Sequence, residues 1–498
     1  MPSQPSASPP KVQGSNHAAR ALLSMTLVAL LLNYVETMII PGVPKIQADF
    51  GTTESLVSWI TSGLLIVGSA VSPLFGKLGD NYGKKRMFLI SMTFYVAGVG
   101  LAGFSPNIYF LIFARAVQGI GFAIVPLALA IIADTFPKER IATAQGVISA
   151  TFAIGAAAGL VIGAYVVQNL GWQWAFHTAF ILSAVLFVVI AKTLPPGSQG
   201  SRSAIDYYGM VMLMAGVSLM LLYLTEGPYQ GWLSLGELTS LAAGVALTIG
   251  FFFSEAKRAN PLIQLGLLKI RNVLVANLVG MVSGVSMFLL FFAVVYYTEL
   301  PQPFGLGLDV IAAGLTLAPA TILMLVVGPL IGRLVTRAGP KPTMLLGACV
   351  AITGFVLFIL DRSTPTRVVI DTAFSMVGAV SIIIPIVNMI SVSLPGETVA
   401  TGLGMNTMLR NIGGAVGPVI ATTIMTSYTQ PLTRSLGGQT VVIARLPSSG
   451  AFDLIFELGI VVLAGVIVFA LFAKNYTFKK GSREIRQENS VPALAAGS

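Results

Sequence analysis

The sequence predicts an all-α polytopic membrane protein: two related six-helix bundles with two further helices inserted between them, fourteen transmembrane helices in all. Three observations predict this. Of the 498 residues, 55% are hydrophobic and only 10% are charged, against about 25% charged in a soluble domain. The apolar runs are about 20 residues long, the length a helix needs to cross a bilayer. Short motifs also recur in the second half of the chain at a near-constant offset. A soluble enzyme, a disordered scaffold and a nucleic-acid-binding protein are thereby excluded. The basic surplus (29 Lys and Arg against 19 Asp and Glu, net +10) belongs to a membrane surface, as its placement shows below. Cys349 alone makes no disulfide framework or CxxC site, and His17 and His177 are too few for a histidine metal site. No metal and no cofactor is expected.

Taken in order, residues 1–20 read as a Pro- and Ser-rich cytoplasmic tail. The first bundle, 21–194, holds candidate spans at 21–44, 56–75, 87–104, 108–133, 142–167 and 175–194. Residues 195–272 hold a linker and the inserted spans 208–224 and 238–254. The second bundle, 273–474, holds spans at 273–297, 311–331, 343–360, 368–392, 400–427 and 452–473, and 475–498 form a second cytoplasmic tail. Span 1 lacks an A-x-A cleavage pattern, so no cleavable signal peptide is expected.

Lys and Arg set the orientation. Both tails and the loops on their side carry 22 of them, and the opposite loops carry five: Lys45, Arg362, Arg367, Arg434 and Arg445. Arg115 and Arg410 fall inside spans. Both termini are therefore expected in the cytoplasm, with the protein in the plasma (inner) membrane.

The loop after span 2 runs Gly76-Lys-Leu-Gly-Asp80-Asn-Tyr-Gly83-Lys84-Lys85-Arg86. The loop after span 10 matches it at Gly332, Leu334, Gly339 and Lys341, an offset of 256. Ala142, Thr143, Gly146, Gly155 and Gly159 of span 5 recur as Ala400, Thr401, Gly404, Gly413 and Gly417 of span 13, an offset of 258. Spans 1–6 are thus duplicated as spans 9–14, and spans 7–8 stand outside the duplication. Such paired halves are a transporter plan with the substrate between them at mid-membrane; an enzyme has no need of that symmetry.

Gly76 to Arg86 resembles the cytoplasmic signature of the major facilitator superfamily, and Leu111-x-x-x-Arg115-x-x-Gln118-Gly119-x-Gly121 resembles its helix-4 motif. The 6+2+6 plan is similar to that of the 14-spanner drug:proton antiporters, as are Gly231-Trp232, Glu255 to Pro261, Gly171-Trp172-Gln173-Trp174 and Arg410-Asn-Ile-Gly413-Gly414. The resemblance implies proton-coupled multidrug efflux and a helper role for Arg115 in coupling. The chain departs from the pattern in three places. Gly155-AAA-Gly159-Leu160-VI-Gly163-Ala164 lacks the proline and last glycine of the antiporter motif, although Gly417-Pro418 retains the former. Glu36 lies eight residues before Pro44 where an aspartate nine before is the rule. The additional acids of some exporters in spans 2, 10 or 13 are absent.

Among single residues, Glu36 is the acid deepest in a span. A carboxylate there is costly and functional by default; it can bind and release a proton as water access alternates, or it can form a silent ion pair with Arg115. Arginine stays protonated, so neither Arg115 nor Arg410 carries the proton. Arg410 either bonds carbonyls and snorkels or meets an anionic group of the substrate. Asp80, Lys84, Lys85 and Arg86, with Asp134, are expected to form a gating latch in a tight turn, where Gly76 and Gly83 allow close approach and positive φ and Asp80 caps a facing helix. Gly155, Gly159 and Gly163, with Gly413, Gly417 and Pro418, are expected to form helix-packing seams. Asn33, Tyr34, Gln118, Met287, Phe291, Phe292, Asn388, Met405, Asn406 and Arg410 are expected to line the substrate cavity; His177 reads as an interfacial residue. Without a Walker A loop, energy is expected from a proton gradient. The expected partners are a small lipophilic or amphipathic substrate, protons and membrane lipid, with no nucleic acid, and the chain is expected to be a monomer. The alternatives are transport of an anionic lipid or a specific organic metabolite, and a non-transporting membrane sensor.

Overall fold

The computed structural model describes residues 15–136, 148, 151, 154–194, 207–258, 261, 264–436, 439–478 and 485–487. Among them twelve helices are long and apolar enough to cross a membrane. The other two of the fourteen expected spans are not among the twelve. Span 5 is described as a continuous stretch only from Ile154 to Leu170, and span 13 is a single helix of 32 residues. Ala142, Thr143 and Gly146 lie outside the described residues, as do 195–206.

The first half comprises α1 (Ser15–Thr37), α2 (Val43–Phe50), α3 (Glu54–Tyr82), α4 (Lys84–Gly103), α5 (Ile108–Gly119), α6 (Ile124–Thr135), α7 (Ile154–Leu170) and α8 (Trp172–Thr193). The inserted pair is α9 (Tyr207–Gln230) and α10 (Leu235–Lys257). The second half comprises α11 (Arg271–Glu299), α12 (Val310–Ala338), α13 (Pro340–Leu360), α14 (Pro365–Ser393), α15 (Gly396–Ser427) and α16 (Ser449–Leu471). A hairpin of β1 (Thr429–Leu436) and β2 (Gln439–Pro447) joins the last two helices.

Local chemistry starts these helices. Thr53, Asn107, Asp309, Thr364 and Ser448 each accept a backbone N–H from the first turn that follows, which satisfies a donor the helix itself leaves orphaned. At the opposite ends the chain turns sharply at Gly83 (φ 96°) and Gly339 (φ 94°), a conformation that only glycine adopts cheaply. These are the two glycines matched in the repeat.

The duplication is visible as packing. In the first half α7 lies on α1, where the added Cβ of Gly155 would strike the Leu30 carbonyl and that of Gly159 the Thr37 hydroxyl. In the second, α15 lies on α11, with Gly413 against the Met281 carbonyl and Gly417 2.6 Å from the Val285 carbonyl by the same measure. Between halves, α3 packs on α15 and its repeat-mate α12 packs on α7. The same pairing thus recurs in both directions, and α9–α10 take no part in it. Of the inserted pair, α9 lies against α3 and α15, and α10 packs on α9. Trp59 Nε1 donates to Thr225 Oγ1 (3.0 Å) and Thr423 Oγ1 to the Leu224 carbonyl (2.9 Å), so neighbouring residues of α9 hold one helix of each half.

Candidate functional site

The two ends of the bundle differ. At the end bearing Asp309, the halves are tied together. Tyr296 donates its hydroxyl to Gln47 Oε1 (2.7 Å), and Gln168 donates to Asp309 Oδ2 (3.1 Å) while accepting from the Ile311 N–H (2.8 Å). Nearby, Ser55 and Thr426 share a hydrogen bond, and Ser62, in the first third of α3, donates to the Ala415 carbonyl (2.7 Å). Gly314 of α12 lies so close to Leu160 that a Cβ there would sit 2.6 Å from its carbonyl. A cavity of about 430 Å³ lies at the tied end, lined by Lys45, Gln47, Glu54, Tyr296 and Glu299 among others.

Glu36 stands in the last turn of α1, near the middle of the apolar stretch Ala19–Phe50. It is half-buried, and among the described residues it forms no ion pair. The cations whose charge reaches it are Arg115 of its own half and Arg410 of the other. The charges of both arginines thus act on the one acid, and the closed pair between Glu36 and Arg115 is not what the structure contains. Arg115 is fully buried; Nε donates to the Ile60 carbonyl (3.2 Å) and Nη1 to Gln118 Oε1 (2.8 Å). Its Nη2 has no protein partner, and the buried hydroxyl of Tyr95, a residue the motif reading did not single out, lies beside Gln118. Tyr95 sits in an apolar run of α4; the signal available was the glycine Gly121, whose Cβ would lie 2.5 Å from its ring. Arg410 is half-buried and no hydrogen bond of its guanidinium is found among the described residues, so it bonds no carbonyl there.

The residues expected to line the cavity lie in varied surroundings. Asn406 is buried and donates to the Ala276 carbonyl of α11 (2.8 Å); it staples two helices, because an amide next to a bare backbone carbonyl is best satisfied there. Gln118 is buried on Arg115. Phe291, Phe292 and Met405 are core residues, and Tyr34 is buried against Thr178. Asn388 accepts from the hydroxyl of Tyr476 (2.7 Å), beyond the last span. Asn33, which donates to the Ala29 carbonyl of its own helix, and Met287 are half-buried. His177 packs among the rings of Phe104 and Trp174.

The latch region is also different from a tight turn. Helix α3 continues to Tyr82, so Gly76 is helical with nothing within 4 Å of its Cβ position, and only Gly83 makes the turn. The side chains of Asp80 and Asp134 lie outside the described residues. Arg86 is exposed at the start of α4 beside Lys84. Lys85 and its repeat-mate Lys341 perform one job twice: each ammonium donates to the carbonyl at the end of the last helix of its half, Leu194 and Leu471. In the second half, where Thr336 replaces the acid, Asn475 accepts from the Lys341 N–H and donates to the Ala338 carbonyl (3.1 Å), spanning the same turn.

The sequence profile of the Major Facilitator Superfamily matches residues 25–418. The chain belongs to the Major Facilitator Superfamily. It is a multi-pass membrane transporter of that superfamily. It is 26% identical over 423 residues to the multidrug transporter protein MdtP of Bacillus subtilis, covering 83% of this chain and 76% of that one. To multidrug resistance protein 3 of the same organism it is 27% identical, covering 84% and 81%. Among solved structures it is similar in fold to the nucleoside transporter NupG (TM-score 0.61, 14% identity, 91% of this chain and 99% of that one). It is likewise similar to the human organic anion transporter MFSD10 (TM-score 0.57, 16% identity, 92% and 100%).

Proposed function

We propose that this transporter exports lipophilic or amphipathic, drug-like compounds in exchange for protons, working by alternating access without a bound cofactor. One observation carries the reading: a titratable acid and two fixed cations, drawn from both halves, lie inside two bundles that are tied together at the Asp309 end. Glu36 takes a proton when that region is open to one side and releases it to the other. Arg115 holds the acid's surroundings polar, and Arg410 supplies the second half's charge. The multidrug relatives support the substrate class.

The positive-inside distribution supports a cytoplasmic location for the Gly83 end and both termini, in the plasma membrane, so this conformation faces inward. The glycine seams on α7 and α15 keep each half rigid while the halves rock. A monomer suffices, because both halves of the site come from one chain. The unengaged guanidinium of Arg410 favours one second reading, an anionic amphipath or organic metabolite as substrate.

The test is substrate-driven proton flux in proteoliposomes, wild type against Glu36→Gln, with one cationic and one anionic amphipath. Flux with the cation that disappears in the variant is the expected result. Undiminished proton flux in Glu36→Gln removes Glu36 from the mechanism, and flux with the anion alone transfers the function to the second reading. A cysteine at position 201 that reacts only from outside would overturn the orientation.

A further inference from the structure

The cavity at the Asp309 end is built by both halves, and Glu36, Arg115 and Arg410 do not line it. Its volume of about 430 Å³ lies in the range of small-molecule sites. One wall is α2 with the start of α3, carrying Lys45, Gln47 and Glu54; the other is the end of α11, carrying Tyr296 and Glu299. Each wall is fixed to its own half. Lys45 Nζ donates to the Val167 carbonyl (3.0 Å) and Trp172 Nε1 to Asp49 Oδ2 (3.1 Å), which holds α2 on α7 and α8. Beyond α11 the chain folds back, with the N–H groups of Leu306, Gly307 and Leu308 donating to the carbonyls of Tyr297, Leu300 and Thr298. The walls meet at the bond from the Tyr296 hydroxyl to Gln47 Oε1 (2.7 Å).

This lining is short of positive charge. Glu54 and Glu299 stand against Lys45, all three half-buried, and among the described residues no ion pair joins Lys45 to either carboxylate. Glu299 Oε1 is buried and accepts no hydrogen bond from the protein, a costly state for a carboxylate oxygen. An anion would meet two carboxylates and an ammonium already engaged. A metal ion would find no group of three His, Cys, Asp or Glu ligands among the described residues. The acids call for a positively charged donor, and Leu300, Pro301 and Leu446 of the same lining offer apolar surface to the rest of such a molecule. We propose that this cavity binds an organic ammonium ion with an apolar body, and that the bound ion, gripping both halves, holds the Asp309 end closed. Its N–H groups donate to Glu54 and Glu299, one from each half, in charge-assisted bonds, while its body packs on Leu300 and on Leu446 of the β-hairpin.

The site stands apart from the proton reading, since neither Glu36 nor a proton gradient enters it. Because its walls belong to different halves, a ligand that needs both binds the tied form and shifts the population towards it by that difference in affinity. A cation bound here restrains the transporter; it does not travel through it.

The experiment uses the full chain in detergent at mildly alkaline pH. The probes are proflavine, a fluorescent three-ring cation with N–H donors, and acridine, the same ring system without the amines and uncharged there. Fluorescence polarisation should show a saturable proflavine component that weakens about tenfold in Glu299→Gln and in Glu54→Gln, the loss expected for one bond to a charged group. Acridine should compete for it at least about tenfold less well. No saturable component, or equal affinity in wild type and both variants, overturns the site. The component should persist in Glu36→Gln; its disappearance there would put the ligand at the mid-membrane acid and overturn the separate site, with or without proton flux in that variant. Hydrogen exchange on the wild-type chain tests the grip without any substitution. Saturating proflavine should slow exchange about tenfold or more at Gly51 and Thr52, whose N–H groups bond to the Ala48 and Gln47 carbonyls, and equally at Leu300, bonded to Tyr296. Slowing in one half alone, or in neither, overturns the proposal.

Discussion

Replacing Gln168 by alanine should unlatch the tied end. One carboxamide on α7 makes two bonds to the other half, donating to the Asp309 carboxylate at 3.1 Å and accepting from the Ile311 N–H at 2.8 Å. Asp309 is itself the cap of α12 and also accepts from Ala312 N, so the amide grips a helix start that is already organised. An intramolecular hydrogen bond contributes about 0.5–1.5 kcal/mol net. The first is solvent-exposed and the second half-buried, so together about 1–2 kcal/mol is reasonable. At 1.4 kcal/mol per factor of ten, the ratio of tied to untied molecules should fall about five- to thirtyfold. The bonds of Gln47 with Tyr296 and of Ser62 with Ala415 remain, so the tied state weakens without vanishing. Spin labels at Asn169 and Gln302, both exposed, in a Cys349→Ser background report the opening by pulsed dipolar spectroscopy. A second, longer distance should appear in Gln168→Ala and grow in Gln168→Glu, where like charges face each other. Identical distance distributions in all three proteins would show that the end is held by apolar packing around Gly314 and that the amide is incidental.

Three further outcomes are expected. Arg362 is 7% exposed, pairs with Asp453 at 2.6 Å, and donates to Phe358 and Ser449; Arg362→Ala should lower stability by about 3 kcal/mol, read as thermal unfolding in detergent, and a melting point equal to wild type would contradict it. Gly413→Ala should destabilise by about 1–3 kcal/mol because its Cβ strikes the Met281 carbonyl. Gly76→Ala meets nothing and should gain up to about 1 kcal/mol from helix propensity; equal effects at the two sites would refute the packing argument. The Ser363 hydroxyl and N–H, with help from Arg367, hold the Asp361 carboxyl below the ordinary carboxylate range. Because the folded value is depressed, this stabilisation is present above the ordinary aspartate value and is lost as pH falls through the folded one. Ser363→Ala should return Asp361 towards ordinary behaviour, followed by NMR titration of labelled aspartate.

What could be read in the sequence follows from how locally each feature is determined. A span needs about 20 apolar residues whatever it packs against, and each stretch picked out that way carries a described helix over at least part of its length. The loop repeat was equally readable, because a turn at φ near 95° selects glycine on backbone grounds alone, and Gly83 and Gly339 both show it. The site resisted the same treatment because a polar side chain inside a bundle has two ways to be satisfied, and periodicity does not choose between them. Asn406 and Arg410 are four apart on α15 and share a face, yet they end differently. The short amide stops at the Ala276 carbonyl of α11, whereas the longer guanidinium makes no hydrogen bond among the described residues and feels the charge of Glu36. Asn388 was satisfied by Tyr476, 88 residues further along, a partner no local pattern could supply. Tyr95 shows the converse. Its hydroxyl sits in an apolar run of the sequence, and only the third dimension places it beside Gln118, the amide that Arg115 grips. What a polar residue does inside the bundle is therefore decided by the partner the fold brings to it, which no local pattern of the sequence carries.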